Sequence, residues 1–94
     1  MTTDYCPFTL PDGATAKVTM HRGGPRIVVT FANGRGASII RNDVSYGNEQ
    51  GLWELAVLDH KGSLDYDTPI TDDVVGYLDE QSVDDLLVRI NNLS

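Results

Sequence analysis

The spacing of apolar residues changes once along this 94-residue chain, and that change limits the possible folds more than any other feature. Up to about residue 66, apolar and polar residues alternate with period two, which is typical of half-buried antiparallel strands. The first such segment has an apolar side formed by Ala14, Ala16, Val18 and Met20. After Pro69 the period becomes helical, with apolar residues at Val83, Leu86, Leu87 and Ile90.

Turn signals separate the alternating segments at short intervals. They include Arg22–Pro25, the dipeptide Asn33-Gly34, in which both residues tolerate positive φ, and residues 59–62. Short, regular spacing of this kind favours an up-and-down antiparallel meander. We expect its strands at about 14–21, 27–31, 37–46, 52–58 and 64–66.

The C-terminal segment has the local signals of a helix start. Asp79 is a good N-cap, and Leu78 and Val83 occupy the positions of a hydrophobic staple. An isolated helix of this length is marginal in water, so it has to pack on the sheet. The sequence therefore predicts an α+β fold: an antiparallel meander of four or five strands with one C-terminal amphipathic helix packed on one face.

The whole of residues 1–94 is expected to form a single domain, since a second core would need roughly another hundred residues. Pro7 and Pro11 indicate that residues 1–11 are an extended N-terminal arm or an edge strand. The sheet is expected within residues 14–66, a connector over 67–78, and the helix over 79–92.

The charge of the chain is unevenly distributed. Residues 1–42 contain five basic and two acidic residues, whereas residues 43–94 contain two basic and twelve acidic ones, and the net charge is −7. A negative field repels phosphates and anionic lipids, so we expect no direct binding of nucleic acid or membranes. The single cysteine, Cys6, fits a reducing compartment, and with no signal peptide or spanning segment visible we predict a cytoplasmic location.

The sequence shows no recognisable motif for catalysis or metal binding. The spacing of Cys6, His21 and His60 does not match a zinc half-site. A calcium loop beginning at Asp65 would need glycine at its sixth position, where Ile70 stands. We predict no catalytic residue, no cofactor and no metal, and therefore not an enzyme; a small metal-dependent enzyme is kept as a second alternative.

A cluster of acidic residues precedes and begins the predicted helix. Eight carboxylates fall between residues 65 and 85, with no basic residue among them. Such a surface resembles the charge of a nucleic-acid backbone and fits a basic surface on a protein partner, for instance one that handles nucleic acid. The alternative is a solvated face that caps the helix and keeps the chain soluble. The predicted contact residues are Tyr66, Asp72, Asp73, Tyr77, Asp79, Glu80 and Asp84.

Three strings resemble small phage- and prophage-encoded proteins of unassigned function. They are Ser45-Tyr46-Gly47, Gly51-Leu52-Trp53-Glu54 and Asp72–Leu78, within about residues 44–90. The resemblance implies a mobile-element origin, and proteins of that group often act stoichiometrically, as anti-defence inhibitors do. We expect a non-catalytic protein-binding module, an inhibitor or accessory factor.

A second hypothesis concerns self-association. A single helix covers one face of a five-stranded sheet, and the other face would then carry Val28, Ile40 or Leu58. An uncovered face of this kind is typical of a self-associating structural or assembly component, so a homo-oligomer is the alternative to the inhibitor.

Overall fold

A computed structural model describes residues 7–21, 23–41, 51–64 and 75–93 of the chain. In these ranges five strands form one sheet, in the order β1-β2-β3-β4-β5, with every neighbouring pair antiparallel. One C-terminal helix, α1, packs against the sheet, which confirms the predicted α+β meander. The elements are β1 (Thr15–His21), β2 (Gly24–Thr30), β3 (Gly36–Ile40), β4 (Trp53–Leu58), β5 (Val75–Leu78) and α1 (Glu80–Asn91).

The core lies between α1 and one face of the sheet. Ile27 pairs with Ile39, which pairs with Leu55, so the three side chains form a row across the central strands, and all are fully buried. The apolar stripe of the helix completes this cluster with Val83, Leu86, Leu87 and Ile90. Burying each of these helix side chains stabilises the fold by about 1.5–3 kcal/mol, because apolar surface leaves water.

The N-terminal segment, where described, is an irregular arm and not an edge strand. Phe8 is buried, and its ring meets Trp53 edge-on with centroids 5.0 Å apart. The guanidinium carbon of Arg41 lies 4.3 Å from the centroid of the same Trp53 ring. Aromatic and cation–π contacts therefore link the arm and the end of β3 to β4.

Three sheet boundaries differ from those predicted. β3 ends at Ile40, whereas the predicted strand continues to residue 46; of residues 41–46 the structure describes only Arg41, which lies outside the strand. β2 begins at Gly24 inside the predicted turn, because Gly24 and Pro25 already pair with His21 and Met20 of β1. The Pro25 carbonyl accepts the Arg41 N–H (3.2 Å), and the N–H that proline lacks costs the sheet only one hydrogen bond, beyond the end of β3. β5 falls within the predicted connector, 67–78. Leu64, in the predicted strand 64–66, forms an isolated bridge with Leu58, and residues 65 and 66 lie outside the described ranges.

The β2–β3 hairpin has a three-residue loop, Ala32-Asn33-Gly34. The Phe31 N–H donates to the Arg35 carbonyl (2.8 Å), and the Gly34 N–H donates to the Phe31 carbonyl (3.0 Å). Gly34 has a positive φ of 89°, as in a three-residue turn that ends in a glycine bulge. The dipeptide Asn33-Gly34 therefore forms a hairpin, but not through the two-residue turn in which both residues need positive φ.

The side chain of Asn33 closes the C-terminal end of α1. Its Nδ2 lies 2.9 Å from the Ile90 carbonyl oxygen, 3.1 Å from that of Asn91 and 2.9 Å from that of Leu93. Its Oδ1 accepts the Arg35 N–H at 2.9 Å, which fixes the side chain within the turn. The hairpin therefore supplies the hydrogen-bond donors that the last carbonyls of a helix lack.

Candidate functional site

The described part of the predicted acidic surface lies where β5 passes into α1. We call it the acidic helix end: Tyr77, Asp79, Glu80, Asp84 and Asp85. Four of the seven predicted contact residues belong to it. The other three, Tyr66, Asp72 and Asp73, lie outside the described residues.

Tyr77 has an unusual backbone conformation for a residue with a side chain. Trp53 pairs with Leu78 and Leu55 pairs with Val75, so two residues of β5 face one residue of β4 in a bulge. Tyr77 lies in this bulge with φ of 58°, and its side chain is 61% exposed. The left-handed conformation costs a non-glycine residue about 1–2 kcal/mol. The exposed ring and the strained backbone make Tyr77 a candidate contact residue.

Asp79 has a structural role at the start of the helix. Its Oδ1 accepts a hydrogen bond from the Ser82 N–H at 2.8 Å, which is the N-cap interaction predicted from the sequence. This backbone hydrogen bond, followed by one from the Ser82 side chain, lowers the pKa of Asp79 below its ordinary value. The carboxylate therefore stays ionised and fixes the direction in which α1 leaves β5.

Asp84 and Asp85 also accept hydrogen bonds. The Thr9 N–H donates to Asp84 Oδ1 at 2.8 Å and so ties the N-terminal arm to the helix, while Gln81 Nε2 donates to Asp85 Oδ1 at 3.1 Å. Glu80 is exposed on the first turn. Sequence reasoning missed the arm contact because Thr9 and Asp84 are 75 positions apart and no local pattern relates them.

Two shallow depressions mark other parts of the described surface. The larger, about 350 Å³, lies over β1 and β2 and is lined mainly by threonines with Lys17 and Arg26. The smaller, about 170 Å³, lies between the β2–β3 loop and the turn at 59–63 and is lined partly by Arg35 and His60. Within the described ranges no three His, Cys, Asp or Glu side chains come together as they would around a metal ion. In the same ranges, no helix has the length and apolar character needed to cross a membrane.

Substituting Asp79 by asparagine is expected to remove part of the acid sensitivity of the fold. Asparagine caps helices about as well as aspartate but does not titrate. Because the folded-state pKa of Asp79 is lowered, its contribution is fully present above the ordinary value of 3.8 and is lost as the pH falls through the lower folded value. Thermal unfolding from neutral to acidic pH should show a smaller loss of Tm for Asp79→Asn than for the wild type. A parallel loss in both proteins would contradict the prediction.

Similarity to known proteins gives no assignment for this chain. Compared with protein-family models, with curated proteins and with solved structures, it shows no significant match. The function is therefore inferred from the acidic helix end itself, where the exposed and conformationally strained Tyr77 precedes four carboxylates in sequence.

Proposed function

We propose that this chain is a non-catalytic module that binds a basic surface of another protein through the acidic helix end. The observation that carries the proposal is the exposed ring of Tyr77, held in a left-handed conformation two residues before Asp79. Tyrosine is enriched among the residues that dominate binding energy at protein interfaces.

The charges along α1 favour a basic partner. Glu80, Asp84 and Asp85 lie in the first half of the helix, and Arg89 lies in its last turn. Arg89 lies nine residues and about 13 Å along the axis from Glu80, but only four residues from Asp85, so the uncompensated negative charge lies at the start of the helix. A concentrated negative patch accelerates association with a positive surface, and this effect weakens with salt.

The proposal extends to the residues outside the described ranges and to the origin of the chain. We extend it to Tyr66, Asp72 and Asp73 as further contact residues, because they precede β5 in the same acidic stretch of the sequence. The resemblance to phage and prophage proteins supports an inhibitor or accessory factor acting in the cytoplasm. A host protein with a basic cleft for nucleic acid is the corresponding partner.

Charge reversal tests the proposal without disturbing the structural carboxylates. The test variant is the triple substitution Asp72→Lys, Asp73→Lys and Glu80→Lys, which spares Asp79 and Asp84. The immobilised chain is incubated with a bacterial lysate at low and at high salt, and the retained proteins are quantified by mass spectrometry. We expect the wild type to retain basic proteins at low salt and the triple variant to lose them.

Two single substitutions sharpen this experiment. Tyr77→Gly removes the ring and relieves the left-handed strain, so it should weaken retention of the same proteins by at least about 30-fold while the Tm stays the same or rises. Asp12→Lys is the control for charge, since Asp12 is exposed and lies near the β2–β3 loop at the other end of α1: a Cβ on its neighbour Gly13 would come within 3.0 Å of Ala32 Cβ. Equal retention by the wild type, the triple variant and Tyr77→Gly would reject the acidic helix end as the binding site.

A further inference from the structure

The two edges of the sheet are built differently. β5 is four residues long, contains a bulge and includes the left-handed Tyr77, all of which hinder pairing with another strand. β1 is seven residues long, contains no proline and pairs with β2 at every position from Thr15 to His21 without a shift in register. Among the described residues no strand pairs with the outer edge of β1. Within the described ranges, β1 is therefore the edge that offers unpaired backbone groups to a further strand.

One backbone hydrogen bond next to β2 and β3 shows which residues of β1 bond to β2 and which point outward. The Arg41 N–H donates to the Pro25 carbonyl, so Pro25 bonds towards β3. Antiparallel strands alternate the direction of bonding, and residues 24, 26, 28 and 30 of β2 therefore bond to residues 21, 19, 17 and 15 of β1. The N–H and C=O groups of Ala16, Val18 and Met20 consequently point away from the sheet.

We propose that β1 pairs with β1 of a second copy of this chain, antiparallel and centred on Val18. In this register Val18 meets its own counterpart, and Ala16 meets Met20 of the second copy. All three positions have outward-pointing backbone groups, so the register forms six hydrogen bonds across the two-fold axis. On the opposite sheet face Lys17 meets Thr19 of the second copy, so no like charges lie directly opposite each other.

The exposure of Met20 supports a second copy as the occupant. Ala16 and Val18 lie on the core side of β1 and pack against the core cluster. Met20 is two residues from Val18 and so lies on the same face of the strand, yet Met20 is 73% exposed. Pairing in the proposed register would place Met20 against Ala16 of the second copy and extend the apolar side of the sheet across the axis.

The expected association is weak and has a distinctive dependence on salt. A single pair of seven-residue strands buries less than a standard interface, so we expect a Kd on the order of 10–100 µM. Each copy has a net charge of −7, and salt screens the repulsion between copies. Dimerisation should therefore strengthen with salt, whereas binding through the acidic helix end should weaken, so the two proposals can fail independently.

Disulfide trapping tests the register directly. In a Cys6→Ser background, Val18→Cys places two cysteines opposite each other at about 5.5 Å between Cα atoms, within the Cα range of a disulfide. The Cβ atoms of a hydrogen-bonded pair lie farther apart than in an unstrained disulfide, so the rate of oxidation is compared with that of a control. Met20→Cys is the matched control, because four residues separate it from its own counterpart, about 13 Å along the strand. We expect Val18→Cys to give a covalent dimer on mild oxidation and Met20→Cys to stay monomeric, although Met20 is more exposed.

Two further measurements complete the test. A mixture of Ala16→Cys and Met20→Cys chains should give the mixed dimer, since these positions face each other in the proposed register. Sedimentation equilibrium of the unsubstituted chain should show a monomer–dimer equilibrium that shifts towards dimer with salt. Faster cross-linking of Met20→Cys than of Val18→Cys, or a monomer at every concentration up to about ten times the expected Kd, would overturn the proposal.

Discussion

Replacing Asn33 by aspartate is expected to lower the free energy of unfolding by about 2–4 kcal/mol, although the two side chains have the same shape. The amide nitrogen of Asn33 lies within 3.1 Å of three carbonyl oxygens at the end of α1. Aspartate offers no donor in that place and puts a negative charge at the negative end of the helix dipole. The Arg35 N–H would keep its acceptor, so the turn itself is preserved.

An alanine variant at the same position distinguishes two causes of the lower free energy of unfolding, the lost hydrogen bonds and the added charge. Asn33→Ala removes the donors without introducing a carboxylate, and we expect it to cost about 1–2 kcal/mol. The aspartate variant should also recover stability as the pH falls, because the carbonyls favour its protonated form and a protonated carboxyl donates one hydrogen bond. Urea unfolding followed by the fluorescence of Trp53, the single tryptophan, measures both effects. Equal stability of the two variants at neutral pH would show that the charge has no influence there.

Local patterns predicted the parts of the fold that depend on neighbours in sequence. The period-two alternation located β1 and β4, and the N-cap and staple residues located the start of α1 at Asp79. The contacts that hold these elements together were not predictable in the same way. Asn33 is 57 residues from Ile90, and Thr9 is 75 residues from Asp84, so no spacing rule relates them.

β5 and its bulge show where the sequence was misleading. Val75 and Leu78 contact the core but are three residues apart, which is not the spacing of a regular strand. Glycine adopts positive φ without strain, so a positive φ in this strand would be expected at Gly76. The positive φ belongs to Tyr77 instead. The cluster of charges and Tyr77 itself were visible in the sequence, but the left-handed conformation of Tyr77 was not.

The attachment of α1 connects the fold to the proposed function. Asp79 caps the beginning of the helix, the arm binds it through Thr9 and Asp84, and Asn33 closes its end. A helix held at both ends presents its carboxylates in fixed positions, so little entropy is lost when a partner binds them. The stability of the helix on the sheet is therefore a condition for binding through the acidic helix end.

Leu87→Ala is expected to destabilise the chain by about 2–5 kcal/mol, since Leu87 is fully buried between α1 and the sheet and its removal leaves a cavity. Val88→Ala is the control on the same helix, because the Val88 side chain is 52% exposed, and we expect a change within about 0.5 kcal/mol. Urea unfolding of both variants gives the comparison. At the urea concentration where half of the Leu87→Ala chains are unfolded, retention of the partner should fall in proportion to the unfolded fraction, because the folded chains bind normally. Similar small effects of both substitutions would mean that α1 does not pack on the sheet in solution, and the acidic helix end would then have no fixed support.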